Sequence, residues 1–483
     1  MDSSSPSSPI RSDARPFSSD WIESTLGLAS GPALTRFSSF TTDSRSVPAG
    51  AVFVAIRGEK KDGHDFIPTA IAGGATAVLA ENSVLTARSL PAQFPQVRFF
   101  GVEDVLEAFR TLASAWRSKF SIPVVLVAGS NGKTTTKELL AALLRGRHAS
   151  VLKTAGSQNG YLGIPMTLIE LREHHGAAVI EVGIDEVGAM ERHVPLVRPT
   201  HALLTVIGPE HLEKLIDVAT VAREECVALH ETQKRGGRCL VNLDDPWVAP
   251  TLAKLPGAWS FSLDPKGPAA TNRIDGRYAA SEGSGTLDVV IPGGSVRLDL
   301  PLPGRHNAQN LLAAVAAAAC IGLDAGEIRK GLATFEGADG RSQLRALPNP
   351  PGALAICDYY NASPVSMAAA FELLAQTGAP DSPRLACLAD MKELGTDELR
   401  FHAELAGPLL KSGVSAVLLH GPRMRSLEES LRKSGFSGTL RHFDDLAALA
   451  TEARRLLQPG SVVLIKGSRS MKMETVWQEL QKP

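Results

Sequence analysis

The sequence predicts a multidomain α/β protein built on mainly parallel, doubly wound sheets, and three observations carry that expectation. The chain has 483 residues, too many for one ordinary core, and its length suggests about three domains. Short apolar, β-branched runs such as Val124 to Ala128 recur along it, each with the length and composition of a strand buried on both faces. In the last third, strand-like runs at residues 353–359, 384–389, 415–420 and 461–465 alternate with helical patterns, which is the pattern of a doubly wound domain.

Composition narrows the class. With 44% hydrophobic and 21% charged residues the chain is that of a globular protein, and its formal net charge of −1 offers no bulk attraction to nucleic acid or acidic membranes. Five cysteines stand singly, with no Cys-x-x-Cys pair, so neither a zinc site nor a disulfide framework is expected and a reducing compartment fits. No apolar run approaches the roughly 18 residues of a membrane helix, so no stable membrane insertion is expected. Residues 1–19 are rich in Ser and Pro and are expected to form a disordered tail rather than a signal peptide.

A first unit is expected over 20–118. It carries Asp43-Ser44-Arg45, the strand-like run 51–56, Asp62-Gly63-His64, an Ala/Gly-rich amphipathic helix and the strand-like run 75–80. Taken alone, Asp-Ser-Arg is most often a capped turn.

The central unit, 119–335, opens on the most informative stretch, Val124 to Ala128 followed by Gly129-Ser130-Asn131-Gly132-Lys133-Thr134-Thr135. It reads as strand, glycine turn and helix start. The two glycines allow the backbone to approach a ligand, and the loop N–H groups with the helix N-terminus suit phosphate oxygens. Lys133 then reaches the β- and γ-phosphates and Thr134 offers its hydroxyl to Mg²⁺. The pattern is a shortened phosphate loop, since Val127 stands where the full form has its first glycine. Farther on, Glu181 interrupts the apolar run 178–183. A charge there needs a cation, either a metal shared with Thr134 or a neighbouring Arg or Lys. His211 follows the strand-like run 202–207, at the kind of strand end where open α/β sheets bind ligands; a structural histidine is the alternative. Residues 284–303 alternate like a hairpin around Gly293-Gly294, and Gly304-Arg305-His306-Asn307 precedes an alanine-rich helix expected over 310–320 and ending at Gly322.

In the last unit, 336–483, polar side chains gather where strands end: Asp358, Tyr360 and Asn361; Asp390 and Glu393; Lys466, Ser468 and Arg469. The Lys-Gly-Ser-Arg turn is either an anion grip or a solvated turn.

These motifs in this order resemble the Mur ligases of peptidoglycan synthesis, over nearly the whole chain beyond the tail. Gly129 to Thr135 resembles the family's short phosphate loop, Glu181-Val182-Gly183 its metal-binding strand end, Glu210-His211-Leu212-Glu213 its His-Leu-Glu motif, and Gly304-Arg305-His306-Asn307 with Asn310 its adenosine-holding region. Asp358-Tyr359-Tyr360-Asn361-Ala362-Ser363-Pro364 with Ser366-Met367 is similar to the signature of the branch that adds D-alanyl-D-alanine, while the Asp-Asn-Pro-Arg motif of the diaminopimelate-adding branch is missing from the sequence.

The resemblance implies a three-domain architecture: an N-terminal α/β uridine-nucleotide domain, a central P-loop ATPase domain with a mainly parallel sheet, and a C-terminal Rossmann-like acceptor domain. It implies an ATP- and Mg²⁺-dependent amide ligase of the cytoplasm, expected to be a monomer, whose substrates are UDP-N-acetylmuramoyl-tripeptide and D-alanyl-D-alanine. It also implies the site. Lys133, Glu225, Asp358 and Lys466 are the catalytic candidates. Residues 129–135 with His306, Asn307, Asn310 and Arg341 take ATP. Ser44, Arg45, Asp62, His64 and Asn159 take the UDP substrate, and Tyr360, Asn361, Ser468 and Arg469 the acceptor. Thr134, Glu181, His211 and Glu225 are the metal ligands.

Three departures from the family pattern stand out. Cys357 replaces an Asp, and Ser157 and Gly160 replace two asparagines, leaving Asn159. Glu225 occupies the place of a lysine that is normally carbamylated; as a native carboxylate it is expected to serve as a metal ligand, with Glu224 the substitute if the helix is rotated by one residue. A ligase with another amino acceptor, and a nucleotide-binding scaffold without turnover, are the competing readings.

Overall fold

The computed structural model describes residues 15–31, 33–58, 60–263, 265, 272–281 and 284–482. The chain divides into two compact units. The first runs to Ser121 and adds Tyr161–Glu173 and Pro195–Arg198; the second comprises Ile122–Gly160, His174–Val194 and Pro199 onward.

The first unit is built on four parallel strands in the order Phe40–Thr41, Val52–Val54, Ala77–Glu81, Arg98–Val102. It is larger than the contiguous 20–118 span expected from sequence. The helix Val105–Arg117 explains why. Its Trp116 Nε1 donates to the Leu171 carbonyl at 3.0 Å, and its Arg117 donates to the carbonyls of Val197 and Arg198 at 3.2 and 2.9 Å. Buried donors need acceptors, and these acceptors come from distant segments.

The tail expectation is corrected at its end. Residues 1–14 lie outside the described residues, but Phe17–Ser18 is a strand paired antiparallel with Arg36–Phe37, and helix Ser19–Leu26 follows, capped by Ser18. Phe17 is fully buried, its ring 4.9 Å from that of Phe40 and 4.5 Å from that of Trp116. One aromatic residue in a Ser/Pro-rich stretch anchors it through such contacts.

Two sheets form the second unit. Among the described residues the larger has nine strands. The order is Gly294–Asp299, Ser284–Ile291, Arg273–Ser281, Trp259–Ser262, Arg238–Asn242, His201–Leu204, Val124–Ala128, Ala177–Glu181, Val151–Lys153. Pairing is parallel from Val151–Lys153 as far as Arg273–Ser281, and the last two strands add antiparallel. The hairpin expected around Gly293-Gly294 is thus the outer part of a three-stranded meander. From Val124–Ala128 the chain crosses to the edge, returns beside it at Ala177–Glu181, then continues on its other side at His201–Leu204. The carboxyl end of Val124–Ala128 is therefore a switch point, where open α/β sheets leave a crevice.

Helix Lys133–Leu144 packs beneath the alanine-rich helix Arg305–Ile321, whose small side chains let the two approach closely. The latter ends at Gly322 in the left-handed region, as expected. It begins earlier than expected: Arg305, His306 and Asn307 form its first turn rather than preceding it, because Gly304 (φ +98°) makes the break.

The smaller sheet has the order Gln343–Ala346, Leu354–Asp358, Val462–Lys466, Arg384–Ala389, Ala416–His420, Thr439–Phe443, parallel except at the first pair. The expected strands are present; Thr439–Phe443 lacks a continuous apolar run and went unnoticed.

Phe17→Ala should destabilise the first unit by about 3–5 kcal/mol, measured by urea unfolding followed through tryptophan fluorescence; an unchanged midpoint would return residues 15–19 to the tail.

Candidate active site

The glycine turn is shaped by what surrounds it. Gly129 (φ +116°) and Gly132 (φ +80°) both occupy conformations that side chains avoid. A Cβ at Gly129 would lie 2.3 Å from Thr205 Oγ1, and one at Gly132 2.3 Å from Asn310 Oδ1. Thr205, which the sequence did not single out, holds the loop by donating to the Asn131 carbonyl at 2.6 Å, while Ser130 N donates to the Val206 carbonyl at 2.7 Å.

Lys133 folds back over this turn. Its Nζ bonds the Gly129 carbonyl and lies 3.3 Å from Glu210 Oε2. Burial lowers its affinity for a proton, but the carboxylates of Glu210, Glu225 and Glu181 more than offset this and hold the ammonium above its ordinary pKa.

Glu181 is 1% exposed. Its Oε1 accepts from Thr134 Oγ1 at 3.0 Å and from Asn159 Nδ2 at 2.8 Å. Both cations that the sequence left open have a place here. Lys137, which is fully buried and carries no local sequence signal, lies 3.5 Å from Glu181 Oε2 and donates to the carbonyls of Thr154 and Gly156 at 2.9 and 2.6 Å. Yet Glu181 Oε2 has no hydrogen-bond partner, and neither does the buried Asn131 Nδ2. Among the described residues no three His, Cys, Asp or Glu side chains gather into a metal cluster. Mg²⁺ does not need one, since one or two carboxylates, substrate phosphates and water suffice. A hydroxyl beside an orphaned carboxylate oxygen at a helix start fits that ion. Asn159, expected among the UDP contacts, belongs to this group.

Glu225 requires a correction. It is fully buried, and its Oε2 accepts the Gly129 N–H at 2.9 Å. It braces the loop from behind and does not line the cavity. Burial pushes its carboxyl up to about 8, with Glu210 adding to the rise. Glu224 is no substitute, because its carboxylate accepts the Gly188 N–H at 2.7 Å.

The C-terminal sheet supplies the other wall. Asp358 and Lys466 are register partners on adjacent strands, 2.5 Å apart. Burial raises the Asp358 pKa, but Lys466 more than offsets it and keeps the carboxyl below its usual range. Arg341 and Arg469 lie 4.2 and 5.5 Å from the Tyr360 ring, whose hydroxyl bonds Ser157. Burial pushes His306 down to about 4, so the ring is neutral, and it lies 3.2 Å from Ser342 Oγ. These groups, Asn361, His211 and the phosphate loop line one cavity of about 670 Å³.

Three further expectations change, those for His64, Asp62 and Ser468. His64 is fully buried, with Nδ1 on Asp62 at 2.6 Å and Nε2 accepting the Glu81 N–H at 3.0 Å. With both nitrogens engaged it cannot touch a UDP ligand, and Asp62 is spent on His64 and Arg57. Ser468 is 3% exposed and its hydroxyl accepts the Lys392 N–H at 2.9 Å, so it ties segments together instead of meeting an acceptor. Cys357 is buried within its strand and does not line the cavity. Arg45 remains exposed, paired with Asp43 at 2.7 Å. Two residues that the sequence placed in motifs without a site role also line the cavity: Glu210, 3.3 Å from Lys133 Nζ, and Ser363, which caps helix Pro364–Gln376 and donates to Asn131 Oδ1 at 2.8 Å.

Comparison with known proteins follows the same order of parts. The family descriptions "Mur ligase family, catalytic domain", "Mur ligase middle domain" and "Mur ligase, glutamate ligase domain" match residues 36–117, 127–318 and 340–469. The chain is 33% identical to a UDP-N-acetylmuramoyl-tripeptide--D-alanyl-D-alanine ligase of Synechocystis over 92% of each chain. It is 34% identical to the ligase of that name from Escherichia coli, over 91% of this chain and 93% of the relative. The crystal structure of MurF from Acinetobacter baumannii superposes with a TM-score of 0.84 at 27% identity, covering 97% of this chain and all of that one. MurF from Thermotoga maritima in complex with ADP gives 0.77 at 25% identity, covering 92% and 97%.

Glu225→Gln keeps an acceptor for the Gly129 N–H, so nucleotide affinity and magnesium requirement should stay within about threefold of wild type, whereas Glu225→Ala should weaken ADP binding about tenfold. Titration of a fluorescent ADP analogue against Mg²⁺ checks both; a raised magnesium requirement in Glu225→Gln would restore the ligand role.

Proposed function

The chain belongs to the Mur ligase family, and from that premise we propose that it is an ATP-dependent ligase joining D-alanyl-D-alanine to UDP-N-acetylmuramoyl-tripeptide in peptidoglycan precursor synthesis. The observation that carries this is the single cavity in which Lys133, Thr134 and Glu181 face Asp358, Tyr360, Lys466 and Arg469. One wall suits a nucleoside triphosphate and the other a peptide acceptor.

The reaction has two steps. A carboxylate oxygen of the peptide attacks the γ-phosphorus of ATP, giving an acyl phosphate and ADP. The amine of the dipeptide then attacks the acyl carbon, loses a proton, and the tetrahedral intermediate expels inorganic phosphate. Phosphoryl transfer of this kind depends on positioning and charge stabilisation. Lys133 leaves the loop carbonyls for the γ-phosphate and offsets its charge. Thr134 and Glu181 would hold Mg²⁺, which supplies charge neutralisation on the phosphates. Lys466, held by Asp358, and the guanidiniums of Arg341 and Arg469 keep a positive field over the acyl phosphate and the acceptor's carboxylate. Water must be kept from the acyl phosphate, which it would otherwise hydrolyse.

In this reading residues 20–118 bind the UDP moiety, with Ser44 and Arg45 as contacts, residues 119–335 bind ATP, and residues 336–483 bind the acceptor. The enzyme acts as a monomer in the cytoplasm. Its five cysteines are all free, in keeping with a reducing compartment, and no helix among the described residues is long and apolar enough to cross a membrane.

Phosphate release with UDP-N-acetylmuramoyl-tripeptide and a panel of dipeptides tests the reading. D-alanyl-D-alanine should be the preferred acceptor, and Lys133→Ala should lower kcat by on the order of 10² to 10³ with the fold intact by circular dichroism. Joining of diaminopimelate or lysine to a UDP-dipeptide, with no dipeptide ligation, would overturn the acceptor assignment; near-normal turnover in Lys133→Ala would overturn the phosphate-loop role.

A further inference from the structure

On the ligase reading of the cavity, we propose that Glu393 is a positioning residue for His211, through which the C-terminal sheet completes the phosphate end of the site. His211 follows strand His201–Leu204 of the large sheet, and Glu393 follows strand Arg384–Ala389 of the small one. The two meet twice. His211 Nδ1 lies 2.8 Å from Glu393 Oε2, and Leu212 N donates to the Glu393 carbonyl at 3.0 Å. Both residues sit in the left-handed region, His211 at φ +47° and Glu393 at φ +65°, where non-glycine residues stay only if their surroundings hold them. Gly395 passes so near that a Cβ there would touch the Leu212 carbonyl carbon at 3.4 Å.

The chemistry of the contact is directional. A carboxylate only accepts, so the proton of the pair lies on Nδ1, and Nε2 is the nitrogen left facing a ligand. A histidine that serves a metal or phosphate site needs its other nitrogen fixed in this way. Here the fixing group comes from the opposite sheet. His211 is therefore oriented only when the acceptor-binding half is seated against the ATP-binding half, so the acyl phosphate forms where the attacking amine is already held. The pair is too exposed to matter for folding: the side chains are 36% and 59% exposed, and such pairs add little stability. Its value lies in orientation.

The test uses the full chain carrying Glu393→Ala or Glu393→Gln, each alone and combined with His211→Ala. A fluorescent ADP analogue is titrated with and without Mg²⁺, and kcat and KM are read from phosphate release. Glu393→Ala should lower the Mg²⁺-dependent ADP affinity and kcat by about 10- to 100-fold. Metal-free ADP affinity should change by less than about twofold, and Tm by less than about two degrees. Glu393→Gln retains a carbonyl acceptor and should fall between wild type and Glu393→Ala. In the His211→Ala background, Glu393→Ala should add no further loss, because it acts through the histidine. Wild-type Mg²⁺-dependent affinity in both Glu393 variants would overturn the proposal, as would an equal further loss in the His211→Ala background, which marks a merely structural contact. The ADP titration decides this even if the substrate panel fails, since that failure would count against the ligase reading alone.

Discussion

A carboxylate buried at the end of an apolar strand constrains everything around it. Glu181 is 1% exposed, and a charge so placed is costly unless it is paired and hydrogen-bonded. Thr134 and Asn159 share one oxygen, and the Lys137 ammonium stands near the other. These partners come from the helix after the glycine turn and from the loop 154–160, so the charge binds three separate segments into one corner. Lys137 extends the bracing by holding the Thr154 and Gly156 carbonyls. The corner is braced by these contacts, yet one carboxylate oxygen stays without a hydrogen bond. That combination of fixed geometry and residual polar capacity is what a site for a hard cation and phosphate requires.

The small sheet repeats the device with the charges adjacent. Asp358 and Lys466 close neighbouring parallel strands in register, and each compensates the other's burial. The two sheets differ in what they offer a ligand: the large one presents backbone N–H groups and a carboxylate at a helix start, the small one an ammonium and two guanidiniums around Tyr360. A site divided this way stabilises phosphate charge from one side and carboxylate charge from the other. It is also joined across its middle by Ser363 to Asn131, Tyr360 to Ser157 and Glu393 to His211.

How much of this was legible depended on whether a local signal existed. Val124–Ala128 and the helix from Lys133 were plain because strand, glycine turn and helix each have a short-range signature. Glu181 was legible as an anomaly, a charge in an apolar run. Thr439–Phe443 was not, since an edge strand paired on one side needs no continuous apolar run. Phe17 was missed because a single aromatic in a polar stretch reveals nothing until Trp116 and Phe40 close around it. His64 and Ser468 matched motif positions, but their polar atoms proved to be committed within the fold, His64 to the Asp62 carboxylate and the Glu81 N–H and Ser468 to the Lys392 N–H.

The sequence by itself determined the order of elements, the glycine turn, the strand-end carboxylates and the family to which they belong, because those follow from backbone sterics, side-chain periodicity and residue spacing along a continuous chain. Only the tertiary structure decided which polar groups remain available. Glu225 turns its carboxylate to the back of the loop rather than into the cavity, Lys137 becomes the partner of Glu181, and Glu393 reaches His211 from another sheet. Each outcome depends on which segment, far away in sequence, supplies the nearest donor or acceptor. The cost of leaving a buried polar atom unpaired then assigns it a structural task or leaves it free for a ligand.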